Sequence, residues 1–238
     1  MNTSLTRRGF VHAVGMTAGT AAGLTALTSQ AAEASADTLK IVAIAGSPRA
    51  GKTTAQSLGI CLEAAKALDP ERIETELIEL AEMEIPGYLA AGIPLKDGDR
   101  DDFSTIAAKL TNRSVAGIIV GSPVYFGSMT YLCKAFLDRC IALRARRFAL
   151  SGKVGGVVAV GGVRNGGQEL TISGIQAALL AQEMVLVGDG RPTCHTGATV
   201  WNSGNDDISN DEFGISTLKN LGRRVAEVAL NRVAPAEP

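Results

Sequence analysis

The residues best suited to chemistry are gathered in one short loop, Gly46-Ser47-Pro48-Arg49-Ala50-Gly51-Lys52-Thr53-Thr54. Ser47, Thr53 and Thr54 bring hydroxyl donors, and Arg49 and Lys52 bring positive charge. The loop follows the apolar run Ile41 to Ala45 and opens a segment with no breaker before Gly59. A strand, a tight loop and a helix start make an anion site, because the first helical N–H groups lack internal partners and the helix dipole is positive there. The chemistry this predicts is the binding of a phosphate-bearing cofactor or nucleotide.

Two readings of the loop compete. Gly46 to Thr53 satisfies the pattern G-x-x-x-x-G-K-[ST], in which backbone N–H groups cradle phosphates, the lysine reaches the terminal ones and the hydroxyl meets magnesium. It also resembles the GSPR-x-G-x-T phosphate loop of the flavodoxin-like NADPH-dependent FMN reductases and iron-sulfur flavoproteins. The second resemblance extends further along the chain. Gly121 to Thr130 reads GSPVYFGSMT and is followed by KAFLDR at Lys134 to Arg139, and Gly161 to Glu169 reads GGVRNGGQE. All three segments, in this order, resemble that family, over most of Leu39 to Trp201.

The resemblance implies a flavodoxin-like, doubly wound, five-stranded parallel sheet of order 2-1-3-4-5, with helices on both faces and FMN at the switch point between the first and third strands. Ser47, Arg49, Lys52, Thr53 and Thr54 would hold the FMN phosphate. Pro123, Val124, Tyr125, Phe126, Gly127 and Ser128 would pass along the flavin ring. Gly162, Arg164, Asn165, Gly166, Gly167 and Gln168 would approach its pyrimidine edge, where glycines let backbone N–H groups come close. The implied activity is an NAD(P)H-dependent FMN oxidoreductase acting on flavin or quinone-like acceptors, with the chemistry on the flavin and no obligatory catalytic side chain. The implied partners are a small-molecule or redox-protein donor and acceptor, and a homodimer or homotetramer is expected. Iron-sulfur members of the family carry a compact cysteine cluster after the second strand. Residues 81–100 contain no cysteine, so no iron-sulfur cluster is expected. A flavodoxin-like electron carrier without turnover remains an alternative. So does a P-loop NTPase, although its magnesium-holding Asp after an apolar strand has only Val185 to Asp189 as a candidate, interrupted by Gly188.

These loops need a frame. The chain has 238 residues, enough for one domain or at most two. Its 23 Lys and Arg balance 24 Asp and Glu and are interspersed with them, which leaves no nucleic-acid footprint. Strand and helix periods alternate. Strands are expected at Lys40 to Ala45, Ile73 to Leu80, Val115 to Val120, Val154 to Val160 and Met184 to Val187, and helices after Lys52, at Asp101 to Asn112, Ser128 to Ala145, Gln168 to Gln182 and Asp211 to Leu230. Short strands apolar on both faces, alternating with helices, predict a parallel sheet covered on each side. In the long helix, Met129, Leu132, Cys133, Phe136, Leu137, Cys140 and Ile141 recur at steps of three and four, with Ser128 as its N-cap. Cys133 and Cys140 fall roughly 10 Å apart along it, too far for a disulfide, and read as core, as does Cys61. Residues 81–100 and 188–210 are long for loops and are expected to be functional or mobile.

The first residues read differently. Thr6-Arg7-Arg8-Gly9-Phe10-Val11 resembles a twin-arginine export motif, followed by a weakly apolar stretch to Leu27 and a small-residue cleavage site at Ala34-Ser35-Ala36. Residues 1–36 are expected to be a signal peptide and residues 37–238 the flavodoxin-like FMN-binding domain, delivered to the periplasm already folded. Its His12 and many Gly and Thr residues make the apolar stretch too weak for a stable membrane anchor. Cys194 and His195 lack the further ligands of a structural zinc site, and His195 is expected to be structural rather than catalytic.

Overall fold

A computed structural model of the protein describes residues 38–233, so the expected signal segment lies outside the described residues. The strands are β1 (Leu39–Ala45), β2 (Ile73–Glu79), β3 (Val115–Pro123), β4 (Val154–Gly161), β5 (Val185–Leu186) and β6 (Ala198–Trp201). The helices are α1 (Thr53–Leu68), α2 (Phe103–Leu110), α3 (Tyr131–Arg139), α4 (Ile141–Ala145), α5 (Gln168–Leu180) and α6 (Glu212–Val233).

All strand pairs are parallel, in the order β2-β1-β3-β4-β5, with β6 also paired to β4. The order is the one the resemblance implies. The fifth position, expected as one strand, is filled by two: β5 pairs with Val154 and Gly155 at the start of β4, and β6 pairs with Val158 to Gly161 at its end. Residues 188–210, read as loop, therefore contain a strand. Ala198, Thr199 and Val200 are buried there, in a run too short for its period to stand out among polar neighbours.

Side-chain alternation along the strands builds two cores. Val42, Ile44, Ile118 and Val120 face α2, α3 and α5, packing with Ile106, Phe136 and Ile175. Ile41, Ala43, Ile119 and Val158 face α1 and α6, packing with Leu58, Leu62, Leu221 and Val225. Cys133 and Cys140 are buried in the first core and Cys61 in the second. The expected long helix is broken at Cys140, where the backbone N–H is shared between the carbonyls of Phe136 (3.1 Å) and Leu137 (3.2 Å) and the turn tightens. Its cap is Thr130 rather than Ser128. Ser128 is held in a turn, exchanging backbone bonds with Tyr125 (2.8 and 3.1 Å).

The long segment after β2 is ordered by charge. Tyr88 donates its hydroxyl to Asp99 (2.5 Å), and Arg139 on α3 grips Asp101 with two bonds of 2.8 Å while its guanidinium lies 4.8 Å from the Phe103 ring centre. Arg139 is buried, so this pair carries the join between the segment and α3.

Arg139 holds the Asp101 carboxyl below its ordinary range, chiefly by hydrogen bonding. With the folded value below the unfolded value of about 3.9, the carboxylate stabilises the fold fully at neutral pH, and the contribution is lost as pH falls through the lowered value. Asp101→Asn leaves Arg139 without a counter-charge and is expected to lower stability by about 1–3 kcal/mol at pH 7. Urea unfolding at a series of pH values checks this, and the gap to the parent protein should narrow below about pH 4.

Candidate functional site

The site is built at the C-terminal edge of the sheet, where the register of β1 on β3 brings the Gly46 N–H to the Gly121 carbonyl (2.7 Å). The chain then turns through Ser47, which is buried and whose hydroxyl accepts the Arg49 N–H (3.1 Å). Lys52 takes the N-cap position of α1 in extended conformation, with no side-chain cap and no acidic residue in the first turn. Thr53 and Thr54 follow, both buried. Helices usually satisfy their first N–H groups with a capping side chain. α3 does so with Thr130, whose hydroxyl accepts the Cys133 N–H (3.0 Å), and α6 with Asp211, which accepts the Gly214 N–H (2.9 Å). α1, like α5, has no such cap, and its first N–H groups, beside the hydroxyls of Ser47, Thr53 and Thr54, form a donor set that fits a phosphate.

Arg49 and Lys52 are placed differently from expectation. Both pair with Asp206 in the segment between β6 and α6, at 2.9 and 3.2 Å, and these bonds, Lys52 first, hold the Asp206 carboxyl below its ordinary range. A second carboxylate, Glu79 at the end of β2, accepts the Gly51 N–H (2.7 Å). Neither acid was singled out in the sequence, because each lies far along the chain from the loop it holds.

The loop after β3 meets the first loop on one side and the end of β4 on the other. The Thr130 hydroxyl donates to the Gly46 carbonyl (2.5 Å), and the Val124 N–H donates to the Val160 carbonyl (2.9 Å). Tyr125 and Ser128 flank a two-residue turn whose centre, Phe126 and Gly127, has positive φ at both positions (52° and 73°). A phenylalanine pays for this conformation with strain. Its ring is fully exposed at the apex. Gly167 has φ +99°, and a Cβ there would lie 2.9 Å from the Gly127 Cα, so only glycine lets the two loops touch.

Within 162–168, two expected site residues are turned to structural work. Gln168 is fully buried, accepts the Gly166 N–H (2.8 Å) and donates to the Val163 carbonyl (2.7 Å), which shapes the loop from behind. Arg164 pairs with the buried Asp211, which also accepts the Trp201 N–H (2.7 Å). Gly162 and Asn165 are exposed on the loop, and Gly166 is partly so. Asp211, read as the first residue of the closing helix, is instead its cap and a hub of three donors; an Asp directly before a helical run was the available signal.

His195 is anchored by the buried Asp189, which accepts from its backbone N–H and meets its Nδ1 (3.2 Å). Asp189 is thereby committed to its own loop, and no group of three His, Cys, Asp or Glu suited to a metal occurs among the described residues. The cysteines do not fit an iron-sulfur cluster. Cys61 is buried on one face of the sheet and Cys133 and Cys140 on the other, burial pushes the thiols of Cys133 and Cys140 up to about 12, and Cys194 alone is exposed.

Comparison with known proteins agrees with this architecture. Residues 39–199 match the family described as NADPH-dependent FMN reductase. The chain is 42% identical over 194 residues to an iron-sulfur flavoprotein of Methanocaldococcus jannaschii, covering 80% of this chain and 97% of that protein. Among solved structures, it is similar to an NADH:FMN oxidoreductase in its apo form, with TM-score 0.58, 25% identity and coverage of 80% and 89% of the two chains. A WrbA-like flavodoxin from Agrobacterium tumefaciens, at TM-score 0.57, 18% identity and coverage of 81% and 98%, shares the fold.

The brace under the 162–168 loop can be tested apart from any ligand. Gln168→Leu strands the Gly166 N–H and the Val163 carbonyl, and is expected to cost about 1–3 kcal/mol. Thermal or urea unfolding of the variant measures the loss.

Proposed function

The chain belongs to the NADPH-dependent FMN reductase family, and from that premise we propose that it is an FMN-dependent oxidoreductase that accepts electrons from NAD(P)H and passes them to flavin or quinone-like acceptors, without an iron-sulfur cluster. The observation that carries the reading is the uncapped N-terminus of α1 at the meeting of three glycine-containing loops. Ser47, Thr53, Thr54 and the first N–H groups of α1 hold the phosphate. Backbone from Pro123 to Ser128 and from Gly162 to Gly167 orients the ring and keeps water from one of its edges. Bound FMN supplies hydride acceptance and electron transfer, so the protein's part is binding and positioning.

Arg49 and Lys52 act at one remove in this proposal, joining the phosphate loop to Asp206. That arrangement counts against nucleotide hydrolysis, in which the lysine must reach the phosphates, as does the engagement of Asp189 by His195 and Thr193.

We further propose export through the twin-arginine segment and a homodimer or homotetramer. The exposed rings of Phe126 and Tyr131 and the exposed Leu170 support association, and no described helix is long and apolar enough to cross a membrane. NAD(P)H is scarce outside the cytoplasm. A quinol or a redox protein is then the rival donor, and the electron-carrier reading is its consequence.

The purified protein should be yellow and release FMN; a colourless protein that FMN cannot reconstitute would overturn the proposal. Thr53→Ala should weaken FMN binding by about one to two orders of magnitude, given roughly 1.5–3 kcal/mol for a hydrogen bond to a charged partner. Lys52→Asn should retain FMN. Reduction of the bound flavin by NADH or NADPH separates the enzyme from a carrier reduced only by its partner. For export, changing Arg7 and Arg8 together to Lys keeps the charge but removes the guanidinium groups, and mature protein should disappear from the periplasm.

A further inference from the structure

The edge of the sheet opposite the flavin loops, where the parallel strands begin, carries a cavity of its own. It measures about 290 Å³ and is lined by Arg113 from the turn after α2, by Ser151, Gly152 and Lys153 from the turn before β4, and by Arg232 from the last turn of α6. Three separate segments thus bring three cations to one hollow, and no carboxylate lines it. None of its lining residues belongs to the loops 46–54, 123–128 or 162–168, and the length of the strands separates it from the proposed cofactor site.

The helix ends at this edge account for part of the charge. Cations answer the negative end of a helix dipole, and Lys153 does so for the turn after α2, donating from Nζ to the carbonyls of Asn112 (3.2 Å) and Val115 (2.5 Å). Burial still pulls its ammonium below the ordinary lysine value, a cost that an adjacent anion offsets. An ammonium has three donors, so one N–H remains. Arg113 and Arg232 are exposed and make no ion pair among the described residues. Arg232 reaches over Gly152, which has φ +75°; a Cβ there would lie 3.4 Å from Nη2 of the arginine. The pairing of β1 on β3 skips Ala116, with Lys40 opposite Val115 and Ile41 opposite Gly117, so β3 bends where it forms the wall.

The lining narrows the ligand. Val115, Val154 and Ala229 contribute to the wall but are 2%, 0% and 1% exposed, so the cavity offers charge and hydrogen-bond donors rather than apolar surface. A flat aromatic ring finds no seat there. Two guanidinium groups, an ammonium N–H and the Ser151 hydroxyl suit a tetrahedral oxyanion, whose oxygens take several donors at once, and the arginine fork matches phosphate in particular.

We propose that this cavity is an anion site for a compact phosphate dianion, free or as the monoester end of a small molecule, held between Arg113 and Arg232 with Lys153 and Ser151 beneath it. The inference stands apart from the functional reading above.

Calorimetric titration of the FMN-containing protein, whose cofactor keeps its own phosphate seat filled, tests the site at neutral pH and low ionic strength. The probes are inorganic phosphate, glycerol 3-phosphate and, as a monoanion, acetate. One saturable site per chain is expected for phosphate, with acetate about tenfold weaker or worse. Arg113→Gln and Arg232→Gln should each weaken phosphate by about tenfold, whereas Arg191→Gln, which removes an exposed cation outside this cavity, should stay within about twofold. Both arginines are exposed, so the core is left intact, and an unchanged circular dichroism spectrum checks this. Equal binding of phosphate and glycerol 3-phosphate supports a monoester ligand, and clearly tighter binding of phosphate supports the free ion. No saturable binding, or a loss with Arg191→Gln as large as with the other two variants, overturns the proposal. Equal binding of acetate overturns the assignment to phosphate. Phosphate that binds only once FMN is removed occupies the flavin's phosphate seat and also overturns it. A protein that holds no FMN defeats the functional reading instead, and the comparison of the three variants in the flavin-free protein still decides the cavity.

Discussion

One buried hydroxyl organises the loop end of this molecule. Thr130 donates from Oγ1 to the Gly46 carbonyl, accepts the Cys133 N–H at the start of α3, and anchors its own backbone N–H on the Ser122 hydroxyl (3.1 Å). The end of β3, the beginning of α3 and the first turn of the phosphate loop are thus fixed on one residue. The joint works only because Gly46 has no side chain, since a Cβ there would lie 2.6 Å from the Cys133 Cβ. The spacing of the loops above the sheet follows from it.

A second principle is the division of labour between backbone and side chains. The charged groups nearest the loop 46–54 are engaged within the protein: Asp206 holds Arg49 and Lys52, and Glu79 accepts the Gly51 backbone N–H. In the proposed reading, anion recognition then falls to groups that cannot swing away, the first N–H groups of α1 and the buried Ser47 and Thr53. The same economy recurs on the third loop, where Gln168 and Arg164 fix the backbone from outside.

Much of this was legible in the sequence, and the parts that were not share a cause. The strand order followed from the resemblance of the three loops to a known family, while the two covered faces and the buried cysteines follow from local period and apolar content, which act over a few residues. The partners of Arg49 and Lys52, and the contacts of Asp211 with Arg164 and Trp201, depend on residues brought together across the fold, for which a single chain carries no local signal, whereas the caps at Thr130 and Asp211 are local. The break at Cys140 was hidden because the apolar stripe continues through it from Phe136 to Ile141. The second strand of the fifth position was hidden because four residues are too few to establish a period.

That divided fifth position governs how the sheet ends. An edge strand offers a row of unpaired N–H and C=O groups on which another chain can template. Here the edge is two pieces, of two and four residues, with residues 187–197 bulging out between them, so no long flat ladder is presented. The opposite edge, β2, carries Glu74, Glu76 and Glu79, of which the first two pair with Lys40 and Lys109 and the third accepts the Gly51 N–H. The divided margin of the sheet therefore offers no long ladder for strand-on-strand growth, a consequence of a feature that looks, in the sequence, like a loop.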